Sequence, residues 1–278
     1  MVRRGMYGVV VLGLSAFCGA LAPAATLAGD MPATPPAGAP PCPAARLAEL
    51  DKQVGLHLKD KAVDALKADL AEVGAAVKTC TDPAIRTKLG GLLGRILDGT
   101  NDDPTQKLAI VAVGDTADPA LFKFLRRWLA QPNPKEEPPM LTVAITAAGK
   151  LVSNDAVIPL LSIVEKSKIY ALSTAAMEAL GNYGASKRMR VKVLTELIST
   201  VSKDSPGVGN RWDSSTGDPQ ATARTKTGEE ARARWGALSG PLVTCLNRMT
   251  GTNCATAEDW FGLYDKYKGR LDALFVKE

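Results

Sequence analysis

From residue 44 onward, apolar side chains recur every three or four positions, the spacing that places them on one face of an α-helix. "ARLAELDKQVGLHLKD" carries Leu47, Leu50, Val54 and Leu58 in that register, and "KAVDALKADLAEVGAAVKT" repeats it with Val63, Leu66, Leu70, Val73 and Val77. The two segments predict an antiparallel helical hairpin. Aromatic residues make up only 5% of the chain and the apolar positions are mostly Ala, Leu and Val, which favour closely packed helices over a sandwich of strands. The pattern predicts an all-α fold.

Further along, one pattern recurs. "IVAVGDTADPALFKFLRRWL" from Ile110, "ITAAGKLVSNDAVIPLLSIV" from Ile145 and "MEALGNYGASKRMRVKVLTELI" from Met177 align on a glycine. Ala112, Ala147 and Ala179 stand two places before Gly114, Gly149 and Gly181, which are 35 and 32 residues apart. A small Ala suits a tight contact between helices, and a Gly after the last turn supplies the left-handed conformation that ends one. Asp82-Pro83, Asp103-Pro104 and Asp118-Pro119 read as helix starts, an acceptor at the N-cap followed by a proline at the first helical position. Asn154 and Ser186 are the expected caps of the later units. Each unit is then two helices that bury their apolar faces only when a neighbour stacks on them.

At these residues the chain resembles the HEAT-repeat family in its short bacterial variety, most clearly in "AAGKLVSNDAVIPLLSIVEKSKIYALSTAAMEALGNYG". The resemblance covers about residues 105–200. It implies an α-solenoid of stacked helical hairpins, about ten helices in all, and a protein-interaction role. It carries no catalytic residues, and the lyase chemistry of some relatives has no motif here.

The segments around the repeats divide the chain. Arg3 and Arg4 followed by the apolar "VVVLGLSAF" and the small residues of "ALAPAATLAGD" read as an export signal over residues 1–28, the alternative being an uncleaved anchor. Residues 29–43, "GDMPATPPAGAPPCPAA" in the main, read as a Pro/Ala-rich disordered tether. HEAT-like repeats are expected over 44–202, a long polar loop over 203–228 and a C-terminal helical cap over 229–278. The expected location is the periplasm or the cell exterior, with no stable membrane span once the signal is cleaved.

Loss of Arg3 and Arg4 lowers the net charge from +5 to +3. That excess carries no clustered basic face, so nucleic acid is not expected as a partner. The local basic runs, including Arg188 and Arg190 in "SKRMRVK", read as solvated helix faces or, alternatively, as binding positions.

Export also changes the reading of the cysteines. Cys42, Cys80, Cys245 and Cys254 remain in the mature chain, an even count that suggests bridges in an oxidising compartment. Cys42 and Cys80 flank the first hairpin and form one expected pair. Cys245 and Cys254 flank the turn "LNRMTGTN" and form the other. Free buried thiols are the competing reading.

In the polar loop, Arg211, Trp212 and Asp213 are the most exposed chemistry, and Trp212 either pins the loop or awaits a partner. Beyond it, Thr227 with Glu230 and Thr256 with Asp259 read as capping boxes, and Pro241 is expected to kink or split the helix between them. "LNRMTGTN…AEDWFGLYDKY" resembles the terminal segment of exported bacterial HEAT-repeat proteins. Trp260, Tyr264 and Tyr267 share one helix face, which either covers the open end of the stack or offers an aromatic binding patch.

Catalytic motifs are scarce. His57 is the single histidine, so two-His metal arrangements are excluded, and no phosphate loop, G-x-S-x-G elbow or H-E-x-x-H is present. No metal or cofactor is implied. Two readings follow. One is an exported, non-enzymatic scaffold or adaptor in the cell envelope that binds a protein or peptide on the second helices of its units, around 155–166 and 186–200. The other is an enzyme or enzyme accessory whose site forms where the 203–228 loop meets that face. Oligomeric state stays open.

Overall fold

The computed structural model describes residues 44–130, 139–183, 187–205, 225–268 and 270–271. Within them the chain is all-helical, with eleven α-helices and no strand. In chain order these are α1 (Ala44–Asp60), α2 (Val63–Thr79), α3 (Pro83–Gly99), α4 (Asp103–Asp115), α5 (Phe122–Leu125) and α6 (Pro139–Leu151). They continue with α7 (Val157–Lys166), α8 (Tyr170–Leu180), α9 (Lys187–Val201), α10 (Thr225–Thr250) and α11 (Ala257–Tyr267). The expected export segment and tether, residues 1–43, lie outside the described residues.

Alternate helices pack side by side. One layer runs α2, α4, α6, α8 and α10, and the other brings α1 against α3, α3 against α5, and α7 against α9. Consecutive helices join the layers, so the apolar face of each unit is buried by its neighbours. This stacking is compatible with a solenoid. The helical register read from the first hairpin holds: Leu50, Val54, Leu66, Leu70, Val73 and Val77 are all buried. The unit that starts at Ile110 is irregular, because its second half is broken into the 3-10 turn Pro119–Leu121, the single turn α5 and the 3-10 turn Trp128–Ala130.

The recurrent glycines do something other than end helices. Gly114 and Gly149 lie inside α4 and α6, and Gly181 has a right-handed backbone (φ −59°). Of the described glycines only Gly251 has a positive φ, at 71°. A methyl at Gly114 would stand 2.8 Å from Ala147 Cα, and one at Gly149 would stand 2.8 Å from Ala179 Cα. Gly114 and Gly149 therefore each seat the backbone of the next repeat's alanine, which accounts for the Ala-x-Gly spacing, while a methyl at Gly181 would stand 3.7 Å from Cys245 Cα. The left-handed positions come three residues later, at Ala117 and Val152 (φ 52° and 49°), where the chain turns into the next element. Side chains reinforce the same junctions. Asn182 donates to Gly149 O at 3.0 Å, and Lys150 reaches Asp115 Oδ1 at 2.7 Å.

Helix starts follow the expected chemistry with shifts of register. Asp82 caps α3 by accepting from the backbone N–H groups of Ala84 and Ile85, and Asp118 accepts from Ala120. At α4 the cap is Asp102, not Asp103: its carboxylate accepts from Thr105, so Pro104 takes the second helical position. The start near Asn154 has Ser153 at the cap position, with no side-chain hydrogen bond, and Ser186 lies outside the described residues. Helix α10 begins at Thr225, which places Thr227 inside its first turn rather than at a cap. The Thr256–Asp259 capping box is present in both directions.

Helix α10 also runs through Pro241 without the split that is one of the two outcomes expected there, the other being a kink. The missing backbone bond costs about 3 kcal/mol, but Leu238, Leu242, Leu246 and Met249 are buried where α10 packs on α8 and α9, and that apolar burial offsets it. Past Thr250 the chain reverses on Gly251 and returns as α11.

Candidate functional site

Two clefts carry the functional argument. The first lies between α2 and α4. Lys67 approaches Asp102 electrostatically, Gly74 faces Ala112 and Lys78 reaches Asp115 Oδ2 at 3.2 Å, so the two helices run parallel. A methyl at Gly74 would stand 3.9 Å from Ala112 Cβ, ordinary contact rather than the 2.8 Å found at the next two junctions. This looser junction leaves a groove of ≈ 330 Å³ floored by Leu70, Ala71, Gly74 and Ala112. Leu108 and Val111, one turn apart on α4, stand at its edge with 51% and 40% of their surface exposed. At one end Asp115 is held between Lys78 and Lys150, and the hydrogen bond from Lys150 with the support of Lys78 keeps its carboxyl below the usual range.

The second cleft, ≈ 550 Å³, is polar and lies where the α7–α8 turn meets the chain after α9 and the start of α10. Lys166, Lys168 and Lys203 line it with Asp204, Glu230 and Arg234. Arg234 is already engaged: its guanidinium donates to Glu165 O at 2.8 Å and to Val164 O, closing the C-terminus of α7, and meets Asp204 Oδ2 at 3.0 Å. Burial raises the Asp204 carboxyl above its ordinary value, although the Arg234 and Lys203 charges pull the other way.

The residues singled out in the sequence are scattered by the fold. Trp260 is fully buried, its indole donating to Asn247 Oδ1 at 2.9 Å, and Tyr264 is buried beside it. Neither offers an exposed patch; both belong to the core at the end of the helical stack. Arg190 sits half-buried on α9, while the Arg188 side chain and all of Arg211, Trp212 and Asp213 lie outside the described residues. On the expected binding face, the exposed large apolar residue of α7 is Ile158. The groove lies on the opposite layer.

The second expected disulfide is also corrected. Cys245 and Cys254 are free thiols. Cys245 takes the place in α10 that Ala179 holds in α8, against Gly181, and its Sγ lies 3.9 Å from Met249 Sδ. The turn is closed by Asn247 instead, which donates to Cys254 O at 2.9 Å and accepts from its N–H at 3.1 Å. Burial pushes the Cys245 thiol up to about 12, and burial followed by the Asp259 charge raises Cys254, which disfavours the thiolate at both. Cys80 is disulfide-bonded, and Cys42, its expected partner, lies outside the described residues.

His57 has one partner the sequence did not suggest, the buried Asp69, whose Oδ2 lies 2.6 Å from its Nδ1 across the α1–α2 hairpin. Among the described residues no three His, Cys, Asp or Glu side chains converge as metal ligands, and no helix is long and apolar enough to cross a membrane. Comparison with known proteins returns no matching family model, curated protein or solved structure.

Proposed function

We propose that the protein is an exported, non-enzymatic α-solenoid of HEAT-like type that serves as a protein-interaction scaffold or adaptor in the cell envelope. The observation that carries this reading is the α2/α4 groove, where an otherwise tight Gly–Ala junction is loose and two large apolar side chains stay in water. Exposed apolar groups gathered at a groove are a mark of protein-binding surfaces. The helical stack, the Ala-x-Gly repeat and the disulfide at Cys80, which suits an oxidising compartment, support the same reading.

The experiment is a pull-down from the envelope fraction with residues 29–278, run beside a Leu108→Glu/Val111→Glu variant. A partner retained by the parent chain and lost from the folded variant supports the scaffold. Retention indifferent to the variant overturns the groove as its binding surface. A second reading, an enzyme or enzyme accessory, draws on the polar cleft, because Lys203 and Asp204 at one end of the 203–228 segment and Glu230, just past its other end, line it. Loss of the partner on Lys166→Glu/Lys203→Glu alone favours that second reading.

A further inference from the structure

Building on the scaffold reading, we infer that the α2/α4 groove receives a helical segment of its partner, amphipathic along its length and acidic at one end. Shape argues for a helix. The groove lies between two parallel helices, the surface into which the ridge of a third helix packs. From Lys67 to Lys78 it spans twelve residues of α2, or about 16 Å, three helical turns. Such a helix presents apolar side chains at i, i+3 or i+4, and i+7 to the Ala and Gly floor, with Leu108 and Val111 closing over its flank.

Charge sets its chemistry and direction. At the α2 C-terminal end, Lys78 and Lys150 share the single carboxylate of Asp115, an excess of one positive charge. At the other end Lys67 faces both Asp64, at 3.6 Å, and Asp102, which reverses the balance. The acidic end of the incoming helix therefore sits over Lys78 and Lys150.

The probe for the test is a displayed library of helix-forming peptides of about 15 residues, four turns long. Peptides selected on the parent chain are then titrated against Gly74→Ala, Gly74→Leu and Lys78→Glu, each checked for folding by circular dichroism. The expected selection is an i, i+3/i+4, i+7 apolar row ending in Asp or Glu. Gly74→Leu fills the floor and weakens binding by about tenfold or more, one decade being about 1.4 kcal/mol. Gly74→Ala, which adds a single methyl to the same floor, weakens binding by less than Gly74→Leu does. Lys78→Glu costs about two- to fivefold at low salt and less at high salt. Failure to enrich helical sequences, enrichment without an acidic end, or affinity indifferent to Gly74→Leu overturns the inference. If the pull-down still depends on Leu108 and Val111, the scaffold survives while the helical, acidic partner does not.

Discussion

Gly149→Ala is the substitution at which local propensity and tertiary packing make opposite predictions. In the middle of a helix Ala is more stable than Gly by about 0.5–1 kcal/mol, so propensity alone makes the change favourable. The added methyl would stand 2.8 Å from both Cα and Cβ of Ala179, well inside the roughly 3.5–4 Å of a normal carbon contact. Because the obstacle is backbone, no rotamer change relieves it and α6 must move away from α8. Overpacking of this kind costs about 1–3 kcal/mol. The Asn182 bond to Gly149 O is strained with it, another ~1 kcal/mol. The net expectation is a loss of about 1–3 kcal/mol, or a fall in Tm of about 2–10 °C for a domain of this size. Gly91→Ala in α3, where a methyl meets nothing within 4 Å, is the internal control and should raise Tm by about 1–4 °C. Thermal and urea unfolding followed by circular dichroism read both. A Gly149→Ala protein as stable as its parent, or more so, would refute the interlock.

Three further outcomes follow from the same geometry. Asn247→Ala leaves the buried Trp260 indole and the Cys254 N–H without their acceptor and should cost about 2–4 kcal/mol in urea unfolding, with a shifted tryptophan emission. Arg234→Met strips two carbonyls at the end of α7 and leaves the half-buried Asp204 without its cation, for a loss of about 1–3 kcal/mol that shrinks when Asp204 is also changed to Asn. The Asp115 carboxyl has a lowered pKa when folded, so its contribution is present above the ordinary carboxylate range and fades as pH falls through the folded value. Lys150→Met should therefore flatten the acid side of a Tm-against-pH profile, by about 0.2–1 kcal/mol given the exposure of the pair.

What was legible in the sequence was whatever depends on neighbours along the chain. The apolar period gave the helices, the Asp-Pro pairs marked three of the element starts, one of them shifted by a residue, and the thirty-odd-residue spacing of Ala-x-Gly marked a repeat. The same signals misled where a residue's role is fixed by a distant contact. A glycine near a helix end reads as a cap, yet Gly114 and Gly149 are kept small by Ala147 and Ala179 from the next unit. Pro241 reads as a breaker, but the burial around it is tertiary. Two cysteines flanking a turn read as a bridge, whereas Asn247 already closes that turn. Trp260 and Tyr264 share a face, and only the packing of α11 on α10 decides that this face is inside. The groove left least trace of all, since Leu108 and Val111 fit the helical period as well as core residues do; their exposure follows from the looser spacing of α2 and α4.

The most direct test of the groove as the docking surface is site-specific photocrosslinking with the partner present, comparing a photoreactive residue at Leu108 with one at Ile158, the exposed apolar position on the opposite layer. The account predicts an adduct from position 108 and none from position 158. An adduct from 158 alone would return the binding face to α7 and α9 and contradict the account.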